Sequence, residues 1–475
     1  MSNPRIKKKM NPKKQETNSS ANLFTPTKNL LGWHTWHPFS KTIVKIFPVI
    51  LILLAIPLTV NVLQNRQNTS QRAAFPDQLE AEGGVLGGNA TIISDTSASG
   101  GQSVLFSAST PTQSLTPTPV PSLGLGPRPA PQTPSGITVP SNIDSTGNTD
   151  VSTALQNWVN QQPNGSTLIF PSGAIYRMSI GINLTDRSNL TLWGYGARIN
   201  AVGSGSSTKA SGIYLKRSNN IKIFGFRIRG TNELAGTANA YGVGGEFAMG
   251  IIGYDNSNNI DIADNTIDHV FGDGIYFSTN QNPNHDNWNI HHNLIELTGR
   301  QGIVPDSGRD IYIERNIIRD IAMSSIDAED ERLNLYGGEA SLERMYVRNN
   351  LFERWMWFGT PERYYTCHAF PMDYSAGNLA SMHDIYIEDN TFTGGCVGPG
   401  NTFQQSNTDA DISMWGGMPK SNIYIRRNVF NLPINQRSGW VIRLNNVSGG
   451  EVTGNTIPGQ TVQCSSCSNV IIANN

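Results

Sequence analysis

Three octapeptides decide how this chain folds: RDIYIERN (residues 309–316), HDIYIEDN (383–390) and SNIYIRRN (421–428). Each alternates apolar with polar or aromatic residues and closes on asparagine. Such alternation sends every second side chain of a strand to the same face. Looser versions lie around them: NNIKIFGF from Asn219, NNIDIADN ending at Asn265, NWNIHHN at Asn293, ERMYVRN at Asn349 with Asn350 following, GGEVTGN at Asn455 and SNVIIANN at Asn475. From Asn265 the closing asparagines are 28, 23, 34, 40, 38, 27 and 20 residues apart. A constant phrase at a varying interval means a constant strand and turn with loops of different length between repeats. One asparagine per repeat at one corner predicts a ladder, because Asn tolerates left-handed backbone and bonds the residues above and below it.

A second strand recurs about ten residues after the first: SGIYL (211–215), MGIIG (249–253), DGIYF (273–277), QGIVP (301–305), SSIDA (324–328) and ADISM (410–414). Ahead of the repeats, Thr149 or Asp150 is placed to cap a short helix with Val151, Leu155, Trp158 and Val159 on one face. Two or three short strands per turn, stacked in parallel behind a capping helix, make an all-β fold, a right-handed parallel β-helix over residues 146–475. A β-propeller would repeat more regularly, and a β-sandwich would carry no repeated phrase. The helix followed by FPSGAIYRM (170–178), LTLWGYGA (190–197) and IKIFGFRIRG (221–230) resembles the opening of the pectin-lyase-like superfamily of β-helix proteins. That resemblance implies the fold and a polysaccharide ligand or substrate. It leaves the chemistry open, since such proteins include lyases, hydrolases, epimerases, depolymerases and inactive surface proteins.

The rest of the chain has a different texture. The whole carries 15% charged residues and a net charge of −1, which argues against a nucleic-acid partner. Residues 1–45, however, hold nine Lys/Arg against Glu16 alone. Residues 46–63, IFPVILILLAIPLTVNVL, follow without a charge. This run meets the minimum of about 17 residues for a membrane span, and the basic flank places the N-terminus in the cytoplasm. The sequence thus predicts a single-pass, uncleaved signal anchor with the bulk of the chain on the cell surface. Residues 64–145 read as a disordered Ser/Thr/Pro/Gly-rich linker; between 83 and 143 the only charges are Asp95 and Arg128, and nine prolines lie between Pro111 and Pro140.

Aligning the second strand across turns points to a site. With Ile275, Ile303, Ile326 and Phe370 inward, the next outward column is Tyr276, Val304, Asp327 and Pro371, and the one after it Ser278, Asp306, Glu329 and Asp373. Ser413 and Trp415, then Arg443 and Asn445, continue these columns. Turns stack about 4.8 Å apart, so the four carboxylates Asp306, Asp327, Glu329 and Asp373 would cluster, at a cost unless a proton, cation or substrate offsets them. One reading makes two of them the acid and base of a glycosidase. The other makes all four Ca²⁺ ligands, as the resemblance to calcium-using β-helix lyases implies. Arg300 and His368, where their strands begin, are candidates for clamp, acid or base. Trp355, Trp357, Tyr364 and Tyr365 in the insertion after residue 353, with Trp415, are candidate sugar platforms.

Asn407-Thr408-Asp409 spells one polygalacturonase element, but the elements that should follow it are missing. His285, His291 and His292 cluster in sequence, but the His291-His292 pair at a strand end lacks the third ligand that zinc needs. Cys464 and Cys467 in an exported domain read as a disulfide or free thiols. The functional expectation is a membrane-anchored β-helix that binds and cleaves polysaccharide, as a lyase or glycoside hydrolase. The rival is a non-catalytic adhesin or wall-binding spacer.

Overall fold

In the computed structural model the described residues are 90–94, 102–106 and 124–475, apart from 204–206, 242–244, 279–284, 329–340, 358–367, 375–380, 397–409, 417–419, 432–439 and 458–461. The chain divides into two compact units, residues 1–116 and 117–475. In the first, Ala90–Ser94 and Gln102–Phe106 pair antiparallel. These residues fall within the stretch 64–145 expected to be a disordered linker; Ile92, Ile93, Val104 and Leu105 supply the β-branched and apolar content that favours a strand pair instead. No helix among the described residues is long and apolar enough to cross a membrane, and residues 46–63 lie outside them.

The second unit is a parallel β-helix. Among the described residues its strands fall on three faces: a twelve-stranded sheet, a ten-stranded sheet, and a third face formed by five-stranded and four-stranded sheets. Every strand pairing among the described residues of this unit is parallel, which excludes the propeller and sandwich, both antiparallel. Parallel strands joined by crossovers take the right-handed sense. The recurring octapeptides form the twelve-stranded sheet, and their inward residues stack in register: Ile260 on Trp288, Ile311, Met345, Ile385 and Ile423. Phe352, Phe392 and Phe430 stack inside the ten-stranded face with centroids 4.7 Å apart, all fully buried. One core therefore runs the length of the solenoid.

The helix Ser152–Gln161 covers the first turn. Its N-cap is Val151, which makes no side-chain cap bond, rather than Thr149 or Asp150; Asp150 accepts from the Ser152 N–H at 2.9 Å, and Leu155, Trp158 and Val159 face the core. The solenoid also begins earlier than residue 146. Ile137–Thr138 is already a strand against Thr167–Ile169, and residues 124–135 run along the side of the turns as a strap. Gly126 N–H donates to the Arg315 carbonyl at 3.0 Å. Arg128 grips Asp264 through Nε (2.8 Å), Nη2 (2.9 Å) and its backbone N–H (3.0 Å). Proline-rich composition keeps this segment from building its own core, but an extended chain can still order against a surface made elsewhere.

The asparagine ladder exists, with one correction. Asn265, Asn293, Asn316, Asn350, Asn390, Asn428 and Asn455 each donate N–H and Nδ2–H to Oδ1 of the asparagine one turn on, at 2.8–3.3 Å. Left-handed backbone belongs instead to the residue before each: Asp264, His292, Arg315, Asn349, Asp389 and Arg427 have φ between 52 and 60°. The turn there aims the next side chain into the solenoid, so the ladder asparagine spends its amide on its neighbours.

Candidate functional site

The inward row and the first outward column are those the sequence predicts. Ile275 pairs with Ile303, which bridges to Ile326, and Phe370 pairs with Ile412. Tyr276, Val304 and Asp327 therefore share an outward column that Pro371, Ser413 and Arg443 continue. Asp306 stands two residues beyond Val304 on the same turn. A strand rises about 3.3 Å per residue and turns are about 4.8 Å apart, so Asp306 and Asp327 are diagonal neighbours with Cα atoms roughly 8 Å apart.

Both carboxylates point outward yet are largely withdrawn from solvent, Asp306 at 5% exposure and Asp327 at 7%. The Tyr276 hydroxyl donates to Asp306 Oδ2 at 2.6 Å. Burial first, and the Asp306 charge second, push the Tyr276 phenol well above its ordinary value, so it stays a donor. Gln301 Nε2 donates to Asp327 Oδ2 at 3.0 Å, and its backbone N–H donates to Asp273 Oδ1 at 2.9 Å. Asp273, fully buried, is 3.5 Å from Arg300 Nη1. These contacts link Asp327 to Arg300 through Gln301 and Asp273, while Tyr276 holds Asp306; Tyr276, Gln301 and Asp273 were not among the site residues expected from the sequence. Tyr214, Tyr254 and Tyr276 also escaped selection; their centroids are 5.9 Å apart, and the last two, with Met249, Ile252 and Val304, form a buried apolar patch on the outer face. The GIY and GYD phrases, read in the same alignment, carried that signal.

Other candidates fare differently. Arg300, paired with Asp273, keeps its proton; it can clamp an anion but cannot be a base. His368 is 4% exposed, and its Nδ1–H donates to the Ala410 carbonyl at 2.6 Å. Burial, reinforced by Arg443, pushes it down to about 4, so it is neutral at pH 7 and a weak base. Trp355 is no sugar platform: the chain at Glu353–Trp355 breaks register with the next turn, and the indole sits fully buried in the core. Trp357 is half-buried, with Nε1 3.3 Å from Asp320 Oδ1 beside the Arg354–Asp320 ion pair. Asp373 and Trp415 are register partners on Phe370–Tyr374 and Ala410–Gly416; their side chains, and Glu329, Tyr364 and Tyr365, lie outside the described residues. Among the described residues no three His, Cys, Asp or Glu side chains are grouped to hold a metal. The proposed calcium cage therefore has two described members, Asp306 and Asp327, each holding a hydrogen bond. Cys464 and Cys467 are joined as a disulfide.

No family model and no curated protein matches the chain. Solved structures similar to it include a family 28 exopolygalacturonase from Yersinia enterocolitica (12% identity, TM-score 0.44, covering 71% of this chain and 78% of that one). The surface adhesin PfbA of Streptococcus pneumoniae is similar at 11% identity and TM-score 0.44, over 72% and 93% of the two chains. An alginate lyase from Paenibacillus gives 14% identity and TM-score 0.39, over 66% and 96%. All three TM-scores lie below 0.5, so the parallel β-helix rests on the sheets of this chain itself. At such identities the likeness assigns no chemistry.

Proposed function

We propose that the chain is a polysaccharide-cleaving β-helix held outside the cell by residues 46–63, with Asp306 and Asp327 as its reacting pair. The observation that supports this most is two outward yet water-shielded carboxylates on adjacent turns, each with a neutral donor. Their Cα spacing leaves room for carboxyl groups roughly 6.5–9.5 Å apart, the separation of an inverting glycoside hydrolase, in which a water fits between base and sugar. In this reading Asp306, held by the Tyr276 hydroxyl, activates that water. Asp327 then protonates the leaving oxygen, and Arg300 with Gln301 fixes the geometry around it. A hydrolase needs both carboxylates; a lyase would leave an unsaturated sugar.

The test takes the full chain, a panel of acidic and neutral polysaccharides with calcium present, and the variants Asp306→Ala, Asp327→Ala and Glu329→Ala. Release of new reducing ends without unsaturated product, reduced at least about 10²-fold by either aspartate change, is the expected result. Release untouched by both changes would reduce the face to a charged surface. Tight glycan binding with no release, unaffected by Asp327→Ala, would favour the adhesin reading. Retention of the chain in membranes, lost when residues 46–63 are deleted, checks the anchor.

A further inference from the structure

Away from the acidic face, the strap and the first turns enclose a cleft of about 530 Å³, within the range of small-molecule sites. Its origin is legible in the corner residues. Gly173, Gly196 and Gly225 have φ of 82, 82 and 74°, where later turns put Asp264, His292 and Arg315. Missing side chains leave a hollow, and the strap bridges it at Pro127, Arg128 and Ala130.

The charge lining this hollow is unbalanced. Arg128, Arg198 and Arg227 face it against Asp264 alone, three positive groups and one negative. Asp264 is consumed by Arg128 and the Tyr195 hydroxyl. Arg227 is paired with Asp268 at 2.9 Å, and Arg229 with the same carboxylate at 2.7 Å. Arg198 forms no ion pair among the described residues, and its Nε is buried without a hydrogen-bond partner. Burial first, then Arg227 and Arg229, press its guanidinium below the ordinary value, against a smaller opposing pull from Asp268. A buried donor left unmatched costs about 1–3 kcal/mol, and a third cation beside two others adds to that. An anion in the cleft relieves the charge imbalance.

We infer that this cleft binds a carboxylate-bearing sugar of one or two rings, a uronate, with Arg198 as the carboxylate anchor. A guanidinium fork matches a carboxylate in two parallel hydrogen bonds. The volume exceeds what a bare anion needs and fits a sugar ring. Tyr195 supplies an aromatic wall and Thr266 a hydroxyl for the ring's own hydroxyls. This site is separate from the Asp306–Asp327 pair and does not depend on its being catalytic.

Titration calorimetry on the full chain at constant ionic strength tests it, with galacturonate, neutral galactose and acetate as probes. Galacturonate is expected to bind at least about tenfold more tightly than galactose or acetate. Arg198→Gln should lose about tenfold or more of that affinity, the worth of one charged hydrogen-bonded contact, and Arg198→Lys should lose less. No galacturonate binding, or binding that Arg198→Gln leaves unchanged, overturns the proposal. Acetate binding as tightly as galacturonate overturns the sugar assignment. Affinity lost in Asp327→Ala but kept in Arg198→Gln would place the uronate on the acidic face and overturn it too.

Discussion

Asn350 shows what one residue does in this fold. Its Nδ2 donates to the Ile313 carbonyl at 2.7 Å and to Asn390 Oδ1 at 3.0 Å, while its own Oδ1 accepts from Asn316 N–H and Nδ2–H at 2.9 and 3.0 Å. The site is 1% exposed, so water cannot replace a lost partner. Asn350→Ala leaves at least two buried polar groups unmatched and should cost about 3 kcal/mol or more of unfolding free energy. The preceding residue, Asn349, sits at φ 55° with no ladder role. Asn349→Gly should therefore stay within about 1 kcal/mol of the parent. Chemical denaturation of the two variants side by side separates the ladder from the turn. The repeated asparagine was plain in the sequence, but which of two adjacent residues bends the backbone was not, because Asp264, His292, Arg315 and Arg427 also take the left-handed turn.

At the scale of elements, the strands of each face reinforce one another along the axis. Tyr312, Tyr346, Tyr386 and Tyr424 stand in one outward column of the twelve-stranded sheet, with ring centroids 5.0, 4.9 and 4.8 Å apart and nearly parallel. Arg348 and Arg426 lie 4.5 and 4.3 Å over the rings of Tyr346 and Tyr424. The IYI phrase that gave the alternation thus also builds an outer stack. The strap is the element that composition misjudged. Its hold on the solenoid centres on Asp264, whose burial alone would raise its pKa, but Arg128 and Tyr195 outweigh that and keep it below the usual carboxylate range. Arg128 is itself half-exposed, which discounts the pair, so Arg128→Ala should cost only about 1–2 kcal/mol overall. Its larger effect is local: limited proteolysis should cut within residues 124–135 at least several-fold faster in the variant. Equal cutting rates would show that Gly126 and the proline backbone hold the strap without Arg128.

For the whole molecule, acid sensitivity follows from imidazoles buried neutral. His368 is held at about 4 by burial and Arg443, and burial also pushes fully buried His285 down. In the unfolded chain both titrate near 6.5. Between that value and about 4 the unfolded state binds more protons, so stability is full above pH 6.5 and falls as pH drops through the window. For His368 the loss approaches about 3 kcal/mol. Denaturation midpoints at pH 7 and pH 4.5 should show this, and His368→Asn, which keeps an amide donor for Ala410, should narrow the gap. The sequence by itself determined the parallel solenoid, its inward rows, its ladder and its outward columns, since period-two alternation and a fixed closing residue leave a strand one way to face. It also placed Asp306 and Asp327 on that outer face. Only the tertiary structure decided which groups meet them, that Trp355 turns into the core, and that a proline-rich strap closes a cleft over three glycines. Those contacts join residues from different turns across insertions of unequal length, and local pattern carries no information about such distances.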